Sequence, residues 1–292
     1  MKLFLVLFNF LLANANEWEL IWQDNFDHHI DTQNWVHEIG DGCPNICGWG
    51  NNELQYYTDS SSNSYVQGGH LVIQAKKENL HNKEYTSARM ITKGKAQWRY
   101  GKFEISAKLP KGSGIWPAIW MLPVNNILGD WPRSGEIDIM ELLGQEPSIA
   151  HCTAHYGNSY NDKGQKSTSY NLATGSFSDD FHLYEIIWNE DKITWYIDGN
   201  KVQEVINGQT PPYTYPFNSD DFFLILNVAV GGYWPGSPKD DTTFPVKMEV
   251  DYIRIYRNKN STDTSNDFRG TSHSLLDWLK LLFIVGIGLV TQ

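Results

Sequence analysis

Polar and apolar residues alternate along much of the chain with a period of two. Phe103, Ile105, Ala107 and Leu109 interleave with Lys102, Glu104, Ser106 and Lys108, the pattern of a strand with one buried face and one wet face. Ile193-Thr194-Trp195-Tyr196-Ile197 runs into Asp198-Gly199-Asn200 and leaves through Lys201-Val202, which predicts a hairpin closed on an Asp-Gly turn. The segment from Phe222 to Val230 is almost continuously apolar and suits a central strand covered on both faces. Gly68-Gly69, Gly231-Gly232 and the Ser60 to Ser64 run punctuate the pattern, and no convincing helical periodicity interrupts it. Many short strands in one unlinked block predict an all-β, two-sheet sandwich over residues 17–258.

The two ends break this pattern. Residues 1–15 carry Lys2, an apolar run from Leu3 to Leu12 and Ala13-Asn14-Ala15, which reads as a secretory signal peptide. Residues 259–274 form a polar linker rich in Ser, Thr, Asn and Asp. Residues 275–292 end in an apolar segment, Leu281 to Val290, too short to span a bilayer. With Gly270-Thr271-Ser272 and a mixed spacer before it, this tail has the form of a glycosylphosphatidylinositol signal, hence membrane attachment through a lipid. A frayed amphipathic tail without a role is the alternative. The expectation is a secreted or cell-surface protein, and a monomer.

Composition narrows the partners. A formal net charge of -11 over 292 residues leaves nothing to neutralise phosphates, so nucleic acid is excluded. The chain has 12 Trp and 15 Tyr. Many must fill the core, but the number exceeds what one sandwich usually buries, and stacking on sugar rings is a use for the surplus. Cys43 and Cys47 are close enough to pair, which fits an oxidising compartment and leaves Cys152 as a buried thiol.

The chemistry concentrates in Gly135-Glu136-Ile137-Asp138-Ile139-Met140-Glu141. On a regular strand Glu136 and Asp138 share a face and Glu141 falls on the other. One inserted residue near Ile139-Met140, a β-bulge, would return Glu141 to the side of the other two. Three carboxylates crowded on one face cannot all ionise, so their pKa values must split, as acid/base chemistry requires. Residues on one strand face recur about every 6–7 Å, compatible with the ~5–5.5 Å between the carboxyl groups of a retaining glycosidase. A solvated acidic strand is the bland alternative. It is weakened by the Gly114 to Leu122 segment, with Trp116 and Trp120, and by Trp131, which put rings rather than charges around the acids.

With these motifs the chain resembles the family 16 glycoside hydrolases, in particular the laminarinase-type β-1,3-glucanases, from Trp18 to Tyr256. The resemblance is carried by Gly48 to Thr58, Thr86-Ser87-Ala88-Arg89, Gly101-Lys102-Phe103-Glu104, Trp116 to Leu122, Gly135 to Glu141 and Val250 to Tyr256. It implies a concanavalin-like jelly roll of two antiparallel sheets with a concave substrate cleft, and an endo-acting enzyme that hydrolyses β-1,3-glucan with retention by double displacement. No catalytic cofactor is expected. The resemblance assigns Glu136 as nucleophile, Glu141 as acid/base and Asp138 as the residue holding the nucleophile. It implies that Asn52, Glu53, Arg89, Trp116, Trp120, His155 and Trp234 line the subsites. The alternatives are a glucan-recognition protein without activity, or a related enzyme acting on mixed-linkage glucan, sulfated galactan or, as a transglycosylase, on wall glucan.

A structural calcium ion is also expected. If the face of Asp251, Ile253 and Ile255 points inward, Asp251 is a buried carboxylate and needs either a basic partner or a hard cation. The resemblance adds carbonyls of Asn25 and Gly69 to Asp251 as ligands.

Overall fold

The protein, seen here in a computed structural model, is described over residues 17–260. The expected signal peptide, most of the polar linker and the apolar tail lie outside these residues. The described chain forms strands β1 (Trp18–Asp24), β2 (Val36–His37), β3 (Gln55–Tyr57), β4 (Ser64–Gln67), β5 (His70–Leu80), β6 (Lys83–Ser87), β7 (Arg89–Ile91), β8 (Gly101–Lys108) and β9 (Ile115–Pro123). It continues through β10 (Glu136–Leu142), β11 (Ile149–Ser159), β12 (Asp162–Asn171), β13 (His182–Trp188), β14 (Lys192–Ile197), β15 (Asn200–Ile206), β16 (Phe222–Val230) and β17 (Val246–Asn258).

The strands assemble into the expected two-sheet sandwich. One sheet runs β15-β14-β13-β8-β17-β5-β6-β3, with β1 also on β17 and β4 also on β5. The other runs β12-β11-β10-β9-β16-β7-β2. The ladders are antiparallel except for β3 on β6. The local signals explain the elements. In β8 the apolar set Phe103, Ile105 and Ala107 is buried, while Lys102, Glu104 and Lys108 are half-buried. The β14–β15 hairpin turns on Asp198 (φ 49°) and Gly199 (φ 74°), the two positive dihedrals a two-residue primed turn requires. All nine residues of β16 are buried, because β9 and β7 flank it and the opposite sheet and the cleft residues cover its faces.

Large rings fill the space between the sheets. Trp98 meets Phe103 edge-on at 5.8 Å, and Trp188 meets Phe222 edge-on at 5.3 Å, the arrangement that aromatic quadrupoles favour. The sulfur chemistry follows the sequence reading: Cys43 and Cys47 form a disulfide, and Cys152 is a buried free thiol.

One premise of the calcium argument is corrected. Ile253 and Ile255 do face inward, but the side chain of Asp251 remains 45% exposed. The register of β17 against β8 shifts between Val250 and Tyr252, and this bulge takes Asp251 off the buried face.

Candidate active site

The concave face of the seven-stranded sheet is assembled by period-two alternation. In β9, Trp116, Ala118 and Trp120 line the cleft, while Ile115, Ile119 and Met121 enter the core. Asn227 and Ala229 of β16, Arg89 of β7, and Thr153 and His155 of β11 extend the floor. The edge strand β12 adds Lys163, Gln165 and Ser167 as one wall, and Trp49, Asn51 and Glu53 form the facing wall. The cleft volume is about 390 Å³. A second hollow of about 530 Å³ continues it past Trp131 and Tyr160 and shares Trp49, Arg89, Trp120 and Glu136.

The three acids of β10 all open into this cleft. Pairing with β11 shifts between Asp138 and Glu141, and pairing with β9 shifts between Asp138 and Met140. The bulge therefore falls at the expected place. Its disturbed backbone is satisfied from the core: Trp195 Nε1 donates to the Asp138 carbonyl at 2.9 Å, and the Cys152 thiol donates to the Ile139 carbonyl at 3.3 Å. Before the strand, Gly135 takes φ 88°, and a Cβ there would meet the Phe217 ring at 2.9 Å, so only glycine delivers the chain into Glu136 without strain.

Glu136 and Glu141 stand opposite His155 and His151, four positions apart on β11, or about 13 Å of strand. This is wider than the single-face repeat suggested, so any close approach of the two carboxyls falls to the long glutamate side chains. The shorter Asp138 sits between them.

Each acid has a distinct environment. Trp131 Nε1 donates to Glu136 Oε2, and Trp116 Nε1 donates to Glu141 Oε1 at 3.1 Å. Asp138 is only 2% exposed, and its Oδ2 lies 3.2 Å from His155 Nε2 without hydrogen-bond alignment. Burial first, and then the charge of Glu136, push the Asp138 carboxyl well above the usual range. Burial, and then Asp138, push Glu141 well above it too; His155 and the Trp116 hydrogen bond act weakly in the other direction. Two of the acids therefore hold protons where an exposed carboxyl would have lost them.

The floor is braced by stacked charge. The Arg89 guanidinium lies 4.5 Å from the Trp49 ring centroid and 4.7 Å from that of Trp120, and its Nε donates to Glu38 Oε2. Trp120 Nε1 donates to Asn227 Oδ1 at 2.7 Å, and Asn227 Nδ2 donates to the Tyr57 hydroxyl at 3.1 Å. Glu53, 6% exposed, accepts from Gln55 Nε2 at 2.6 Å, and burial raises its pKa.

Of the residues expected in the subsites, Glu53, Arg89, Trp116, Trp120, His155 and Trp234 line the cleft. Asn52 does not. It takes φ 59° at an exposed turn, and its neighbour Asn51 lines the cleft instead; the left-handed residue interrupts the alternation that would have turned Asn52 inward. Sequence reasoning missed Trp49 and Asn51, although both lie in the Gly48 to Thr58 motif. It also missed Lys163, Gln165 and Ser167, whose strand is polar on both faces and gives no pattern to read.

The expected cation ligands converge by register. Strand β5 pairs with β17 as far as Leu71 opposite Val250, and β1 takes over with Asp24 opposite Ile253. Asp251 falls in the gap, flanked by Asn25 after Asp24 and by Gly69 ahead of β5. Asn25 Oδ1 is buried without a partner, while Asp251 has Ser106 Oγ at 3.4 Å and His70 Nε2 at 3.8 Å. The orphaned Asn25 oxygen, one residue past the end of β1 and near the register gap that holds Asp251, has the oxygen-ligand chemistry a hard cation takes.

Comparison with known proteins bears on the family and the fold. The model of Glycosyl hydrolases family 16 matches residues 51–254. The chain is 42% identical to the beta-glucanase of Rhodothermus marinus, over 83% of this chain and 86% of that protein. It is 39% identical to glucan endo-1,3-beta-glucosidase A1 of Niallia circulans, over 82% of this chain but 38% of that longer protein. The laminarinase catalytic domain of Thermotoga maritima MSB8 superimposes with a TM-score of 0.79 at 46% identity, covering 84% of this chain and 100% of the domain.

Proposed function

The chain belongs to family 16 of the glycosyl hydrolases, and from that premise we propose that it is an endo-β-1,3-glucanase acting by retention on laminarin-type polysaccharide. The carrying observation is the bulge in β10, which brings Glu136, Asp138 and Glu141 into one cleft walled by tryptophans. A glucan-recognition protein would have no use for three acids in one cleft, with Asp138 and Glu141 holding their protons through burial.

In the first step the Glu136 carboxylate attacks the anomeric carbon. Glu141 gives its proton to the glycosidic oxygen, the C–O bond breaks, and a glycosyl ester forms on Glu136. In the second, Glu141, now a carboxylate, takes a proton from water, and the water oxygen displaces Glu136 from the sugar. Burial equips Glu141 to hold the proton it must deliver. The Trp131 N–H fixes one oxygen of Glu136, and a protonated Asp138 beside it serves as a neutral partner that does not compete for the substrate's developing positive charge. The open, elongated cleft suits attack within a chain rather than at its end.

The same reading includes a calcium ion held by Asp251 with carbonyls of Asn25 and Gly69. It would tie β1 and β5 to β17, far from the acids in the fold, and so act on stability. Work outside the cell is also part of the proposal, supported by the Cys43–Cys47 disulfide and by a substrate too large to cross a membrane. Purified protein incubated with laminarin, lichenan, carboxymethyl-cellulose and agarose tests the substrate. Ladders of β-1,3-oligosaccharides from laminarin are expected, and binding of laminarin without any product would overturn the enzymatic reading.

A further inference from the structure

His151 stands directly opposite Glu141 in the β10–β11 ladder, yet nothing so far gives it a task. Its Nδ1 lies 3.0 Å from Ser169 Oγ on β12, and its Nε2 is buried with no partner. Burial lowers its pKa, with Glu146 opposing weakly. The ring is therefore a neutral wedge, fixed at one nitrogen, rather than a proton carrier.

What the wedge supports is Trp234. That indole is 42% exposed; the backbone of its loop is tied at Gly231, Tyr233 and Pro235, which leaves the orientation of the projecting ring to the side chains it touches. The His151 ring meets Trp234 edge-on at 5.1 Å, and Trp234 meets Trp116 edge-on at 5.3 Å and 90°. Trp116 in turn donates its N–H to Glu141 Oε1. The contacts form one unbroken chain from Ser169 through two indoles to the acid.

We infer that His151 is a positioning residue for the general acid: through Trp234 it holds Trp116, and through Trp116 it fixes which oxygen of Glu141 faces the leaving group. With Oε1 engaged by the indole, the proton is left on the other oxygen. The inference rests on Glu141 being the acid.

Two readouts separate positioning from mere structure. Loss of acid assistance hurts a substrate with a poor leaving group and spares one that leaves as a stable anion. The Trp116 bond also lowers the pKa of Glu141, so freeing it raises the alkaline limb of kcat/KM. Glu136 and Asp138 from its own strand and His155 from β11 act on Glu141 as well, and none of these is altered by changing His151.

The experiment measures kcat/KM for laminarin and for a dinitrophenyl β-laminaribioside, with pH profiles, in His151→Ala, Trp116→Phe and Glu141→Gln. His151→Ala should lose roughly tenfold on laminarin, a part of the ~10²–10⁴ that general acid catalysis supplies. It should stay within about twofold on the activated glycoside and shift the alkaline limb upward, as Trp116→Phe does. Should His151→Ala fail to fold, Ser169→Ala, at an exposed position, is expected to give the same selective loss in smaller measure. Equal losses on both substrates, or none on either, would overturn the inference. Glu141→Gln tells the two failures apart: if it spares the activated glycoside and His151→Ala does not, only the role of His151 falls. If Glu141→Gln damages both substrates alike, the assignment of the acid falls first.

Discussion

Asp138 offers a sharp test, because its proposed state is unusual for an aspartate at neutral pH. It is 2% exposed, beside the Glu136 carboxylate, and burial together with that charge holds its proton. If it works as a neutral donor, Asp138→Asn keeps a donor toward Glu136 and an oxygen toward His155, and little changes. Asp138→Ala removes a hydrogen bond to a charged group, worth about 1.5–3 kcal/mol, and so should lower kcat/KM by roughly 10- to 150-fold, at 1.4 kcal/mol per factor of ten. The asparagine variant should fall less than about tenfold. The assay is reducing-sugar release from laminarin at several substrate concentrations and pH values, with a thermal melt of each variant to confirm folding. An asparagine variant as damaged as the alanine variant would refute the reasoning, since Asp138 would then be acting as an anion.

Further expectations follow from individual contacts. Because the folded-state pKa of Glu141 is raised, the stability it contributes is fully present below the ordinary carboxylate pKa of about 4.3 and is lost as pH rises toward the raised value. Glu141→Gln escapes that loss, so its melting temperature should exceed the parent's at pH 7 and match it near pH 4; an unchanged difference across this range would contradict the burial argument. Arg89→Lys keeps the charge but loses the planar stack between Trp49 and Trp120. We expect about 1–2 kcal/mol less stability and a higher KM for laminarin with kcat little changed, checked by denaturant unfolding and steady-state kinetics. EDTA should lower the melting temperature of the parent but not of Asp251→Ala, and identical melts with and without chelator in the parent would argue that no ion is bound there.

Regular stretches of the chain announced their structure, because a period of two is physically read out as inside and outside. β8, the Asp198-Gly199 hairpin and buried β16 were legible for that reason. The acid cluster was legible because Glu136 and Glu141 share a face only if one residue is inserted, and the bulge is where that count demanded it. The same logic was not carried through at two other irregularities. A second bulge exposes Asp251, and a left-handed residue exchanges Asn52 for Asn51. In β17 the shift is written in the sequence, where the apolar phase passes from Val246, Met248 and Val250 to Ile253 and Ile255 across Asp251, but the expectation of a buried acid follows the isoleucine face alone; around Asn52 no apolar residue marks the change. The division of tryptophans was also beyond the sequence. Trp22, Trp35, Trp98, Trp188 and Trp195 are buried in the core, whereas Trp49, Trp116, Trp120, Trp131 and Trp234 line the cleft, and ring type alone does not distinguish them.

The central claim is that Glu136 and Glu141 hydrolyse β-1,3-glucan with retention through an intermediate on Glu136. Proton NMR of laminarin during the first minutes of digestion reads the anomeric configuration of the new chain ends before mutarotation mixes them. The account predicts that the β-anomer forms first and that Glu136→Gln, though folded, forms none. Initial formation of the α-anomer, or continued turnover by Glu136→Gln, would contradict it.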